Sequence, residues 1–103
     1  MARRSNIRFP IRINVKFYCS DKVHSGLVTD ISEKGMFIKT KDMCFPEDRQ
    51  LNLAIPLESE MAHLPVKINR LINMEGGNYG IGVELLNPPP QYIEYVENLL
   101  LLM

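Results

Sequence analysis

An all-β domain, a six-stranded antiparallel β-barrel with a C-terminal α-helix, is the fold this sequence predicts, on three observations. Apolar and polar residues alternate in several short segments, the period-two pattern of half-buried strands. Turn-forming runs separate those segments at short intervals, as antiparallel neighbours require. Near the end the pattern changes once, to apolar spacings of three and four.

The elements follow in order. Ile11, Ile13, Val15 and Phe17 alternate with Arg12, Asn14, Lys16 and Tyr18 and mark the first strand. Ser20-Asp21-Lys22 reads as a turn, and a second strand runs from Val23 to Ile31. Ser32-Glu33-Lys34-Gly35 turns the chain again, with Gly35 able to take positive φ. Met36 to Thr40 is a short third strand, and the polar, proline-containing stretch Lys41 to Arg49 is a loop. Leu51, Leu53, Ile55 and Leu57 mark the fourth strand, with Pro56 pointing to an edge or strand end. Leu64 to Met74 is the fifth, and its faulty alternation around Arg70-Leu71 predicts a bulge. Glu75-Gly76-Gly77-Asn78 is a hairpin loop leading to the sixth strand, Tyr79, Ile81, Val83 and Leu85. Gly80 and Gly82 share its other face, where something packs closely. Asn87-Pro88-Pro89-Pro90 stops the strand. Gln91 to Leu102 is a helix with Tyr92, Ile93, Val96, Leu99, Leu100 and Met103 on one stripe. Its apolar end, Leu99 to Met103, is expected against a barrel opening or another subunit.

At 103 residues the chain fits one domain with one core. Residues 1–10 are expected to form a flexible basic arm, and residues 11–103 the barrel and helix. No apolar run reaches the roughly 18 residues of a membrane span, and no h-region follows the first arginines, so no membrane insertion and a cytoplasmic location are expected. Cys19 and Cys44 lack a CxxC spacing; the sequence leaves a disulfide between them open, and reduced thiols are the expectation for a cytoplasmic protein. Neither they nor His24 and His63 show zinc spacing, so no metal is expected.

Net charge is zero, which argues against a general polyanion binder such as duplex DNA. The charge is unevenly placed. Residues 1–20 hold Arg3, Arg4, Arg8, Arg12 and Lys16 and no acid. A local positive field suits a small anion better than a long one. Two short motifs sharpen this. Arg4-Ser5-Asn6-Ile7-Arg8 places two guanidiniums four residues apart, and Asp30-Ile31-Ser32-Glu33-Lys34-Gly35 places a carboxylate and a hydroxyl at a turn. An arginine's planar fork fits a phosphate or the O6/N7 edge of guanine. Asp30 can accept from the guanine N1–H and N2–H, Ser32 can serve a phosphate or the turn, and Gly35 lets the backbone pass closely. The pair describes a site for an anionic guanine nucleotide.

With both motifs in order on a six-strand pattern, the chain resembles a PilZ domain, the bacterial receptor module for cyclic di-GMP, which is marked by RxxxR in an N-terminal arm and (D/N)xSxxG after the second strand. Tyr79-Gly80-Ile81-Gly82-Val83-Glu84-Leu85 is similar to the family's late glycine-containing strand. The resemblance implies that Arg4 and Arg8 grip guanine and phosphate while Asp30, Ser32 and Gly35 line the barrel surface. An arginine at Arg3 implies an intercalated pair of ligands. The implied function is a second-messenger receptor or adaptor in motility or biofilm regulation: ligand clamps the arm onto the barrel and alters binding to an unidentified downstream protein. No cofactor beyond that ligand is expected.

Two rival classes of function also bear on these residues. A PilZ-like protein-interaction domain that binds no nucleotide is favoured by the apolar Leu99–Met103 end. A barrel for single-stranded nucleic acid needs a basic groove with exposed aromatics, which the charge pattern does not supply. An enzyme is not expected, since no nucleophile–base spacing, metal cluster or Walker loop is present. Oligomeric state stays open.

Overall fold

The computed structural model describes residues 7–42, 44 and 46–102. Six strands, β1 (Phe9–Cys19), β2 (Lys22–Ile31), β3 (Gly35–Thr40), β4 (Gln50–Leu57), β5 (Glu60–Asn73) and β6 (Tyr79–Leu85), precede one helix, α1 (Pro90–Leu100). All neighbours pair antiparallel, in the closed order β1-β2-β3-β6-β5-β4. Closure follows from the alternation: Val15, Phe17, Ile38, Leu53, Ile55, Leu64, Val66 and Ile68 all point into one buried core.

The hairpins use the residues their geometry demands. Ser20 and Asp21 both hold positive φ (53° and 63°), so the β1–β2 turn twists with its strands. Gly76 and Gly77 do the same in the 3-10 turn before β6 (74° and 76°). β5 starts at Glu60, four residues before the expected Leu64. Its polar opening pairs with the end of β4, with Ala62 turned inward and Met61 and His63 outward. β4 meets β1 at only three residue pairs, Lys16–Ala54, Phe17–Leu53 and Tyr18–Asn52. Pro56 lies beyond the last of them, at the strand end its ring requires. β1 begins at Phe9, inside the span assigned to the arm; residues 1–6 lie outside the described residues.

Three bulges interrupt the ladders, between Pro10 and Ile13, between Val28 and Asp30, and between Ile68 and Arg70. The last sits one residue before the expected position.

Helix α1 starts on Pro90, where a missing N–H costs nothing. Tyr92 and Val96 are fully buried, and Ile93, Leu99 and Leu100 pack partly against the same core. The helix stops at Leu100, and Leu101 and Leu102 are exposed at 69% and 77%.

The cysteines correct the sequence reading: Cys19 and Cys44 are joined as a disulfide, with Cα atoms 6.2 Å apart. The chain beyond β3 folds back over the end of β1, a proximity that a separation of 25 residues does not reveal. His24 stacks on Phe17 with ring centroids 5.2 Å apart, and its Nδ1 lies 3.6 Å from the Asp42 carboxylate.

Candidate functional site

The site is built from bulges. In β2, the residue two after inward Val28 would also face inward. The extra residue Thr29 reverses this, so Asp30 pairs with Phe37 on the outer face while Ile31 is buried. In β5, Asn69 is the extra residue, and it leaves both Asn69 and Arg70 exposed. Register then sets Pro10, Asp30, Phe37, Gly82 and Arg70 side by side across five strands.

Two adjoining hollows open there. One, of about 350 Å³, is lined by Arg8, Ser32, Lys34, Gly35, Asn69, Val83 and Glu84. The other, of about 420 Å³, is bounded by Arg8, Asp30, Phe37, Asn69, Arg70, Gly82 and Val83. Arg8 pairs with Asp30 across their rim, Nη1 to Oδ1 at 2.5 Å, with the two side chains 54% and 32% exposed. An exposed pair of this kind is worth about 1 kcal/mol or less, so either partner is readily traded for another ion. On the far side Asn69 donates to Glu84 at 3.1 Å.

Ser32 and Gly35 act beneath the surface. The Ser32 hydroxyl is buried and accepts from the Lys34 and Gly35 amides at 3.3 Å, while its own amide donates to the Gly35 carbonyl at 2.8 Å. The hydroxyl therefore fixes the turn. Gly35 is not at positive φ, contrary to expectation. Its hydrogen is required because a Cβ would fall on the Val83 carbonyl oxygen of β6. From the core side, the Tyr92 hydroxyl donates to the Ser32 carbonyl at 2.7 Å and more weakly to that of Gly35 at 3.3 Å. Burial pushes the Tyr92 phenol well above its ordinary pKa, and the positive charge of Arg8 opposes that rise.

Of the residues expected at the site, Arg8, Asp30, Ser32 and Gly35 come together, and Arg3 and Arg4 lie outside the described residues. Sequence reading missed Lys34, Phe37, Asn69, Arg70, Gly82 and Glu84 as lining residues. The broken alternation near Arg70 was the one signal for the β5 pair.

The sequence profile of the PilZ domain matches residues 2–102. The chain belongs to the PilZ domain family. No curated protein matches it in sequence. Among solved structures, the Bacillus subtilis inhibitor of motility, MotI/DgrA, superposes with a TM-score of 0.77 at 19% identity; the match covers 98% of this chain and 53% of that one. This PilZ chain thus spans about half the length of that protein. The PilZ domain of CeSA from a cellulose-synthesizing bacterium gives 0.66 at 21% identity, covering 94% and 98%. The PilZ domain of YcgR from Escherichia coli, solved with c-di-GMP, gives 0.69 at 14% identity, covering 97% and 90%. All three share the PilZ fold with this chain.

Proposed function

We propose that this PilZ domain is a cyclic di-GMP receptor that signals by clamping its basic arm onto the barrel. The observation that carries the reading is the meeting of Arg8 with Asp30, one from each motif and 22 residues apart, beside the turn held by Ser32 and Gly35. A weak exposed ion pair at the mouth of an open hollow is a resting arrangement. In it the cation and the carboxylate screen each other until a ligand offers each a better partner. A guanine does so: its acceptor edge takes an arginine fork, and its N1–H and N2–H suit a carboxylate. A nearby phosphodiester draws Arg3 and Arg4 of the arm. That the E. coli YcgR domain was solved with c-di-GMP supports the reading by kinship of fold.

The domain in this proposal is a binding module and not an enzyme. Its output is a changed surface presented to a downstream protein. Calorimetry with cyclic di-GMP, using GTP as competitor, tests it. A bidentate arginine–guanine contact contributes roughly 1–3 kcal/mol and a charge-assisted arginine–phosphate contact about as much, so Arg8→Ala and Arg4→Ala are each expected to weaken binding by about tenfold to a hundredfold. A folded protein that ignores the ligand at high micromolar concentration overturns the proposal. It leaves the rival reading of an interaction domain, for which the exposed Leu101 and Leu102 would be the place to look.

A further inference from the structure

Two surfaces of this chain carry opposite charge next to exposed apolar side chains. The first lies on the outer face of β4, β1, β2 and β3. Two shallow hollows meet there at Asn14, Ser25 and Gly26, and they share no residue with the hollows at Asp30. One, of about 390 Å³, is lined by Ala54, Pro56 and the exposed side chains of Tyr18 and Met61. The other, of about 540 Å³, is lined by Leu27, Lys39 and Lys41. The acid in its lining, Asp42, lies against His24, and neither lysine makes an ion pair among the described residues. The result is one groove, apolar at its β4 end and cationic at its β3 end.

The second surface is the free side of α1. Glu94, Asn98, Leu101 and Leu102 are all exposed, at offsets of four, seven and eight from Glu94, so they share one stripe. Leu101 keeps a helical backbone (φ −68°, ψ −16°), which carries the stripe on through the cap. The stripe is acidic at its start, where Glu94 borders a hollow of about 240 Å³ with Glu58 and Glu60 and no lysine or arginine. It is apolar at its end, where Leu101 and Leu102 are the most exposed large apolar side chains among the described residues.

The two surfaces match in order and in length. From Ala54 to Lys39 the groove crosses three strand spacings, ~14 Å. From Glu94 to Leu102 the stripe runs ~12 Å. Both border the β4–β5 hairpin, with Pro56 and Met61 in the groove and Leu57 to Glu60 beside the stripe. A twofold axis beside that hairpin lets each copy offer its stripe to the groove of the other, as a closed dimer requires. A nucleic-acid strand is a poorer occupant. Its phosphates would lie over the apolar half, which offers one tyrosine for stacking.

We infer that two copies of this chain dock reciprocally: Leu101 and Leu102 of each enter the other's groove at Ala54 and Met61, and Glu94 meets Lys39 with Lys41 alongside. The contact uses no residue of the RxxxR or DxSxxG motif and does not depend on the cyclic di-GMP reading.

Gel filtration with light scattering, run without nucleotide at high micromolar protein, tests this. The expected mass is twice the 11.9 kDa of one chain. Leu101→Asp with Leu102→Asp, and separately Met61→Asp, are expected to weaken association about tenfold or more, because each sets a carboxylate in the apolar half. These side chains are exposed, so unchanged melting temperatures are expected beside the lost dimer. Lys39→Glu and Glu94→Lys are each expected to weaken association, and the two combined to restore it, a rescue that damage to the fold would not give. A monomeric wild type overturns the inference. So does a dimer that Met61→Asp leaves intact, or a double charge reversal that associates no better than either single one.

Discussion

Ser32, Gly35 and Tyr92 make one joint between the turn that carries the site and the helix behind it. The Ser32 carbonyl accepts from Tyr92, and Gly35 lies tight against β6. Tyr92→Phe strands that buried carbonyl and is expected to cost about 1–2 kcal/mol, a fall of several degrees in melting temperature. Gly35→Ala forces β3 and β6 apart and is expected to cost about 2–3 kcal/mol, with binding lost alongside stability. Tyr92 also sets a pH limit. Its phenol titrates higher in the folded protein than in the unfolded chain, so its contribution is complete below about pH 10, the ordinary tyrosine pKa. Above that, the unfolded chain releases the proton first and stability declines as pH rises. Thermal melts from pH 8 to 11.5 are expected to show this decline in wild type and a shallower one in Tyr92→Phe.

At the scale of elements, the strands were legible because alternation reports facing directly. β2, β3, β4 and β6 lie within a residue or so of their expected limits. The start of β5 was not legible, because Glu60 to His63 has one inward side chain, Ala62, too small to declare the pattern. The site was half legible. Arg8, Asp30, Ser32 and Gly35 stand in motifs whose chemistry can be read from residue type. Phe37 and Gly82 enter only through cross-strand register, which local sequence does not encode, and Asn69 and Arg70 are signalled only by the broken alternation of β5. The bulge at Thr29 is silent in the sequence, yet it turns Asp30 from the core to the surface. Deleting Thr29 is expected to bury that carboxylate and abolish cyclic di-GMP binding, with substantial loss of stability. Circular dichroism melts beside calorimetry would check both.

Across the whole molecule, the Cys19–Cys44 bond is the feature that residue types did not foretell. It closes a loop with a sequence separation of 25. In the chain-entropy account a loop of that length stabilises the fold by about 3–4 kcal/mol. Reduction with dithiothreitol, or Cys44→Ser, is expected to lower the melting temperature by on the order of 10 °C or more. An unchanged melt would mean the thiols are free in solution. Asp30, Ser32, Gly35 and Phe37 all ride inside that ring of chain, while Arg8, Arg70 and Gly82 stand outside it. A protease that severs the backbone once anywhere from position 20 to position 43 therefore yields two fragments that travel as a single band on a non-reducing gel and part only when a reductant is added.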